Sequence, residues 1–116
     1  MTNKSTEQPL NEYRDQYLIS AQRLSERLGE SSLRVIDVTM HLKVLPSGDF
    51  SGVSGRGDYE AGHIPSAVYL DLQNDLSDNT SAFRFTVPSV AQFDAAMQLA
   101  GISDTDTVVL YAANHP

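Results

Sequence analysis

The sequence has 116 residues, of which 41% are hydrophobic and 20% are charged, and its formal net charge at pH 7 is −7. This length and composition indicate one globular domain and not a disordered chain. The excess of acidic residues argues against nucleic acid or an acidic membrane surface as a partner, because both bind clustered Lys and Arg. Cysteine is absent, which excludes disulfides, thiolate metal sites and a thiol nucleophile within this chain.

The start of the chain is polar. Residues 1–16 show no sustained periodicity, so we expect a disordered tail followed by one domain over residues 17–116. This polar start does not have the apolar core of a secretory signal. No apolar run approaches the roughly 20 residues that cross a bilayer. The expected location is therefore cytoplasmic, without membrane contact.

The first part of the domain is predicted to contain an edge strand, a helix and a buried strand. Residues 17–19 could form the short edge strand, and Ser20 is a good N-cap for a helix over 21–28. The β-branched segment 33–38 predicts a strand with Asp37 near its carboxyl end. A carboxylate there could serve chemistry or accept hydrogen bonds from the turn around His63, and we favour the structural role.

The middle of the chain is predicted to be largely irregular. Residues 39–57 begin with alternating apolar side chains, which favour a short strand or a packed flap, and continue as a glycine-rich irregular loop. Loops of this length in a compact domain are usually functional or disordered. Residues 71–84 are rich in Asp, Asn and Ser. They predict a surface loop with room for one helical turn, held down by Phe83 and Phe85.

The last part is predicted to be a helix and a strand. Ser89 and Gln92 have the spacing of a capping box, which predicts a helix over 90–100 that ends at Gly101. The helix face expected to be buried carries Val90, Phe93, Met97 and Ala100, with Ala96 beside it. Residues 107–111 form an unbroken apolar strand, as expected where helices cover both faces of a parallel sheet. The order of elements predicts an α/β fold. Only two good helices are predicted, so we expect the chain to be the front part of a longer protein or a truncated product.

The most informative stretch is residues 59–67, with the sequence Tyr-Glu-Ala-Gly-His-Ile-Pro-Ser-Ala, which leads into a predicted short strand over 67–70. Pro65 fixes its own φ and biases Ile64 towards an extended conformation, so a tight turn is expected. Ser66 requires either a type I turn that tolerates it or a strained backbone, because Gly at this position often has a positive φ.

These residues resemble the rhodanese family of sulfurtransferases, which carries an aromatic residue, three variable positions and then His-(Ile/Leu)-Pro-Gly-Ala. The matching residues are Tyr59, His63, Ile64, Pro65 and Ala67, and Ser66 stands where the family usually has Gly. The resemblance covers about residues 17–116. It implies a rhodanese-like three-layer α/β sandwich with a mostly parallel sheet, incomplete at the C-terminus. It also implies structural-motif roles for Asp37, Tyr59, His63, Pro65 and Ala67.

In active rhodanese domains the residue after the central strand is the catalytic Cys, which carries sulfur as a persulfide. The resemblance places Ala112 at this position, so the chain alone is expected to be inactive. Tandem thiosulfate or 3-mercaptopyruvate sulfurtransferases have such a non-catalytic N-terminal domain. The resemblance therefore implies a catalytic rhodanese domain as partner, a small sulfur donor as substrate and no cofactor. The alternative is a stand-alone inactive module for protein binding or regulation.

His63 and Arg56 are the candidates for lining the cleft between two such domains. For His63 we favour a structural role in locking the turn, although some mechanisms proposed for mercaptopyruvate-type relatives use a His from this motif. His41, His63 and His115 lie in separate segments without ligand spacing, so no metal site is predicted. The tripeptide Arg56-Gly57-Asp58 matches an integrin-recognition pattern, which we interpret as a coincidence.

Overall fold

The computed structural model describes residues 16–113, and the chain divides into two compact units between Ser31 and Ser32. The predicted tail, apart from Gln16, and His115 lie outside the described residues. In chain order the helices and strands are α1 (Ala21–Arg27), β1 (Leu33–Asp37), β2 (Met40–Val44), β3 (Phe50–Ser54), α2 (Arg56–Ala61), β4 (Val68–Tyr69), α3 (Val90–Leu99) and β5 (Thr107–Tyr111). No helix among them is long and apolar enough to cross a membrane.

The first unit contains α1. Its predicted N-cap is confirmed, since Ser20 Oγ accepts a hydrogen bond from the Arg23 N–H at 3.1 Å. Leu24 is buried, whereas Ala21 is exposed. The predicted strand over residues 17–19 is wrong, because Tyr17 is helical and the next two residues have no regular structure. A strand needs a neighbouring strand to satisfy its backbone groups, and neither described sheet includes these residues.

The second unit is built on a three-stranded parallel sheet in the order β4-β1-β5. Asp37 at the end of β1 lies opposite Tyr69 of β4 and Tyr111 of β5, so the carboxyl ends of the strands meet at one edge. This arrangement confirms the predicted α/β class with a parallel sheet. β4 keeps two of the four strand residues predicted for it.

Strand β5 lies at the edge of this sheet and is not covered on both faces as predicted. Val108 and Leu110 are exposed, Leu110 to 62%. Both lie on the face that β1 presents through Ile36, which is fully buried, because Leu110 is the register partner of Ile36. The apolar side of β5 thus continues the face of the sheet that carries Ile36, but it is exposed to solvent.

Residues 40–54 form a β-hairpin, in which β2 is the short strand that was one alternative for the start of this segment, while β3 takes the place of part of the predicted irregular loop. β2 and β3 pair antiparallel, with Leu42 opposite Gly52. A Cβ at Gly52 would meet the side chain of Gln73, and a Cβ at Gly55 would lie 2.5 Å from the carbonyl oxygen of Thr39. These glycines therefore mark close approaches of the chain to itself and not an irregular backbone. Helix α2, which the sequence also did not predict, follows directly.

Helix α3 begins and ends as predicted. Ser89 Oγ accepts from the Gln92 N–H at 3.1 Å, although the Gln92 side chain donates to carbonyls of the preceding loop and does not complete the capping box. At the other end Gly101 adopts a φ of 73°. The Ile102 N–H donates to the Met97 carbonyl at 2.9 Å, which is the longer hydrogen bond of a Schellman motif.

The buried face of α3 is shorter than predicted. Ala96 and Ala100 are buried, whereas Val90 and Phe93 are exposed. The Gln92 side chain donates to loop carbonyls at distances down to 2.7 Å, so the first turns of α3 lie beside that loop. The second half of the helix supplies the contacts with the sheet core.

The segment after β4 is held by polar groups and not by its phenylalanines. Asp71 is buried, and its carboxylate accepts from the Gln73 N–H at 2.9 Å. The Asp75 N–H donates to the Asp71 carbonyl at 2.8 Å, which forms the one helical turn. Phe83 and Phe85 are exposed, so the prediction that they hold the loop down is wrong. An Asp that satisfies nearby backbone N–H groups orders a loop without an apolar anchor.

The turn that follows His63 is strained. The Ala67 N–H donates to the Ile64 carbonyl at 2.9 Å and closes a four-residue turn with Pro65 and Ser66 at its centre. Ser66 has a φ of 71°, in the left-handed region where a Cβ crowds the backbone. Of the two alternatives from the sequence, the strained backbone is the one observed.

Replacing Ser66 by Gly is expected to raise the free energy of unfolding by about 1 kcal/mol, since Gly removes the left-handed penalty but has more freedom in the unfolded chain. Urea unfolding of the 116-residue chain measures the change. Ser66→Ala is the control, because it keeps the Cβ and should bring no gain. Equal stabilisation by both variants would contradict the assignment of strain to this residue.

Candidate functional site

The carboxyl edge of the parallel sheet brings three segments together. Thr39 follows β1, Asp71 follows β4, and residues 112–113 follow β5. In α/β folds, ligands bind in crevices outside the carboxyl ends of the strands. The candidate site is therefore this edge, together with the turn after His63 that lies beside it.

Thr39 links the segments of this edge and is fully buried. Its hydroxyl donates to Asp37 Oδ1 at 2.5 Å and accepts from the Ala113 N–H at 2.8 Å. Its own N–H donates to the same Asp37 oxygen at 2.9 Å. Its carbonyl accepts from the Tyr69 hydroxyl at 2.8 Å and from the Gly55 N–H at 3.0 Å. Thr39 therefore joins β1 to the hairpin, to β4 and to the residues after β5.

Asp37 is 1% exposed, and its carboxylate accepts hydrogen bonds from the N–H and the hydroxyl of Thr39. Near it, burial raises the pKa of the Tyr111 hydroxyl. The Ile64 N–H, which donates to this hydroxyl at 3.2 Å, acts against the rise, while the Asp37 charge adds to it. Tyr111 thus connects β5 both to Asp37 and to the turn.

Tyr59 fixes the orientation of the exposed His63 ring. The two rings stack with centroids 3.8 Å apart and planes 11° from parallel. His63 Nδ1 lies 2.7 Å from the Tyr59 carbonyl oxygen, and because a carbonyl only accepts, Nδ1 carries the proton. The Tyr59 hydroxyl donates to the Ala67 carbonyl at 2.6 Å. Nε2 is therefore the nitrogen that His63 can offer to another molecule.

The stacked pair of His63 and Tyr59 continues through Tyr69 to Arg56, so that Arg56 and His63 lie at opposite ends of one row of side chains. The Arg56 guanidinium carbon is 4.9 Å from the centroid of the Tyr69 ring, and the Tyr69 ring is 5.9 Å from that of Tyr59. These distances suit a cation–π contact and a tilted aromatic pair. The structure thus brings the two predicted cleft residues, Arg56 and His63, to the two ends of one row, and both are exposed.

The remaining sequence-predicted positions are located as follows. Pro65 is exposed and Ala67 is buried. Asp58 Oδ2 lies 2.5 Å from His41 Nε2 and so joins α2 to β2. Arg56-Gly57-Asp58 is therefore part of a helix, with Asp58 paired to His41 and Arg56 over the Tyr69 ring. Among residues 16–113, no group of three or more His, Asp or Glu side chains could hold a metal ion.

Ala112 is exposed, and a backbone group of each neighbouring residue is hydrogen-bonded. The preceding carbonyl, of Tyr111, accepts from the Val38 N–H at 2.9 Å. The following N–H, of Ala113, donates to Thr39. A methyl group is thus presented where β5 leaves the sheet, and it offers neither a nucleophile nor a proton.

Sequence reasoning missed Thr39 and Tyr69. For Thr39 a local signal exists, because a residue two positions after an Asp often donates its N–H to that carboxylate. Tyr69 has no such signal, since its hydroxyl bonds a carbonyl 30 positions earlier in the chain. A contact of that kind is visible only once the strands are placed.

Several curated proteins are similar to this chain in sequence. The 3-mercaptopyruvate sulfurtransferase of Rattus norvegicus is 31% identical over 98 residues, which cover 81% of this chain and 31% of that protein. Thiosulfate/3-mercaptopyruvate sulfurtransferase 2 of Arabidopsis thaliana is 28% identical over 94 residues, which cover 81% of this chain and 25% of that protein. No protein-family model matches the chain.

A solved structure gives the same result for the fold. The crystal structure of SseA from Escherichia coli, which is described as a 3-mercaptopyruvate sulfotransferase with the rhodanese fold, matches 84% of this chain with a TM-score of 0.71 and 26% identity. The chain is a rhodanese-family domain. The resemblance drawn from the turn after His63 is thereby confirmed.

This rhodanese domain is much shorter than the proteins it resembles. It spans 25% of the Arabidopsis protein, 31% of the rat protein and 35% of the SseA chain. It also contains no cysteine. Sulfur transfer through a persulfide therefore needs a thiol from outside this chain.

Proposed function

We propose that this rhodanese domain is the N-terminal, non-catalytic domain of a tandem sulfurtransferase. The observation that supports it most is Ala112, which is exposed directly after β5, where the family resemblance expects the catalytic Cys. A Cys thiolate in a second domain would attack the transferable sulfur of thiosulfate or 3-mercaptopyruvate and hold it as a persulfide, while the S–S or C–S bond of the donor breaks and sulfite or pyruvate leaves. A thiol or cyanide would then remove it.

This domain would form one wall of the cleft and would supply hydrogen-bond donors to an anionic substrate. The hydrogen bonds of Thr39 hold the carboxyl edge, and the stacked Tyr59 holds His63. The Arg56 guanidinium would bind the negative charge of the sulfur donor, and His63 would contact it through Nε2, because both side chains are exposed. Neither side chain carries the sulfur itself.

The exposed apolar side of β5 also supports this proposal. A tandem protein supplies further chain that can cover Leu110, which is exposed beside the partly buried Tyr111. Apolar surface of this kind is stabilised by burial. The cytoplasmic location stays a prediction from the sequence.

Sulfur transfer by the parent protein and by this chain alone tests the proposal. The parent is the product of the gene with whatever it encodes beyond residue 116, assayed with each donor and with cyanide or a thiol as acceptor. We expect turnover by the parent, loss of that turnover when its downstream Cys is replaced by Ser, and none by the 116-residue chain. A gene that encodes no second domain with a Cys would contradict the proposal.

The alternative is a stand-alone inactive module that binds a protein. The exposed phenylalanines of the second unit favour it, since apolar surface on a soluble domain often marks a binding site. It predicts a gene product that ends near residue 116 and forms a stable monomer. The gene sequence beyond residue 116, together with the mass of the 116-residue chain measured by sedimentation, distinguishes the two functions.

A further inference from the structure

The exposed side chain of Arg56 lies over the ring of the buried residue Tyr69. Tyr69 is 4% exposed, and the guanidinium carbon of Arg56 is 4.9 Å from the centroid of its ring. A cation within about 6 Å of a ring centroid is attracted to the face of the ring. The burial of Tyr69 and the exposure of Arg56 therefore combine a fixed ring with a cation that another molecule can reach.

Hydrogen bonds hold the Tyr69 ring in place through its hydroxyl. The hydroxyl donates to the Thr39 carbonyl at 2.8 Å and accepts from the Gly55 N–H at 2.9 Å. Ser54 Oγ lies 3.0 Å from the same hydroxyl and accepts from the Arg56 N–H at 3.1 Å. Tyr69 is thus bonded to both residues that directly precede Arg56, so it contacts the side chain of Arg56 and also fixes the backbone before it.

The opposite side of Tyr69 faces the pair of rings that ends at His63. The Tyr59 ring lies 5.9 Å from the Tyr69 ring, with the two planes at 51°, which suits a tilted aromatic pair. Tyr59 in turn stacks on His63. Tyr69 therefore lies between the two exposed side chains of the candidate site and contacts one of them directly.

No carboxylate among the described residues neutralises Arg56. The ion pairs of residues 16–113 do not include it, and Asp58, two residues further along α2, pairs with His41. Asp and Glu outnumber Lys and Arg by 15 to 8 in this sequence, yet the Arg56 guanidinium keeps its donors for another molecule. A guanidinium presents a planar set of donors that matches the oxygens of an anion.

We propose that Tyr69 is a positioning residue for Arg56, an inference that rests on the proposed function for the identity of the anion. The face of the ring restricts the long Arg56 side chain, and the hydroxyl bonds restrict the ring. An anion then binds a side chain that has already lost part of its rotamer freedom, so binding costs less entropy. Because Tyr69 is buried, it acts through Arg56 and does not touch the sulfur donor.

NMR spectra of the 116-residue chain test the contact without turnover. An aromatic ring shifts the signals of protons above its face upfield, so the Arg56 side-chain protons should lie upfield of those of the other arginines. Tyr69→Leu should abolish this shift, whereas Tyr69→Phe keeps the ring and should retain most of it. Ordinary positions of the Arg56 signals in the unchanged chain would overturn the inference, whether or not the parent protein transfers sulfur. The shift in a chain whose parent lacks sulfurtransferase activity would support the positioning of Arg56 and refute the proposed function.

Kinetics of the active parent give the second test. Tyr69→Leu should raise KM for the sulfur donor about 3-fold, the size of an exposed cation–π contact, and leave kcat unchanged. In a protein that already carries Arg56→Ala, the same change should add nothing, because the side chain to be positioned is gone. A rise in KM that persists beside Arg56→Ala would show that Tyr69 acts only on the structure, and it would overturn the inference.

Two further variants separate positioning from loss of stability. Tyr69→Phe removes the hydroxyl bonds and should lower Tm, but it should raise KM less than Tyr69→Leu because the ring remains. Ile36→Val removes a buried methylene from the sheet core, away from the row, and should lower Tm while KM stays at the parent's value. An increase in KM that follows the loss of Tm in all three variants would overturn the inference.

Discussion

Replacing Asp37 by Ala is expected to lower the free energy of unfolding by about 3 kcal/mol, because it removes the acceptor of two buried donors. Those donors are the N–H and the hydroxyl of Thr39, at 2.9 Å and 2.5 Å from one carboxylate oxygen. Neither has access to water, since Thr39 is fully buried. For a domain of ordinary stability, about 5–15 kcal/mol, this is a large fraction of the total.

Urea unfolding of the 116-residue chain measures this loss, and Asp37→Asn is the control. An amide oxygen can still accept from Thr39, so the Asn variant should lose less than the Ala variant. Hydrogen exchange at Ala113 gives a second readout, because its N–H donates to the Thr39 hydroxyl that Asp37 orients. Faster exchange at Ala113 in Asp37→Ala is expected, and an unchanged stability would show that the carboxylate does not hold this edge.

The features that the sequence predicted well are those whose partners lie nearby in the chain. Ser20 and Ser89 each accept from an N–H three residues later, and Gly101 ends α3 through bonds to the helix's own last turn. Such caps depend on residue type at fixed spacing. The turn after His63 belongs to the same group, because Pro65 restricts both itself and its neighbour.

The features that it missed depend on contacts between distant parts of the chain. The Ala113 N–H and the Thr39 hydroxyl are 74 positions apart, and the Gly55 N–H and the Tyr69 hydroxyl are 14 apart. The glycines of the hairpin suggested an irregular loop, yet Gly52 and Gly55 are where Gln73 and Thr39 come close. Composition alone cannot distinguish a glycine that breaks a strand from one that admits a neighbour.

In the candidate site too, the sequence predicted features formed by neighbouring residues and missed those that depend on distant ones. The motif around His63 predicted the turn, because its residues are contiguous, but not the row of side chains that runs through Tyr69. The loop before α3 was wrongly expected to bury Phe83 and Phe85, since an apolar side chain was taken as an anchor. Asp71 supplies the anchor instead, by satisfying backbone donors, and the phenylalanines remain available for a partner. Apolar residue type predicts the benefit of burial but does not say which surface provides it.

Replacing Gly55 by Ala is expected to lower the free energy of unfolding by about 3 kcal/mol, the upper part of the usual cost of overpacking. The new Cβ would lie 2.5 Å from the Thr39 carbonyl oxygen and 2.7 Å from the Thr39 side chain. Because the backbone at Gly55 has a φ of −86°, which Ala also adopts, the cost is steric and not conformational. Relief of the clash would also stretch the hydrogen bonds from the Gly55 N–H to Thr39 and Tyr69.

Gly57→Ala is the matched control, two residues further along. Nothing lies within 4 Å of a Cβ at Gly57, which is inside α2, so Ala should stabilise the chain by about 0.5–1 kcal/mol through its higher helix propensity. The two variants thus add the same methyl group with opposite expected signs in urea unfolding. If they shifted stability in the same direction, the close packing of Gly55 on Thr39 would be disproved. Such a result would also show that the start of α2 does not depend on this glycine to approach Thr39 at the edge of the sheet.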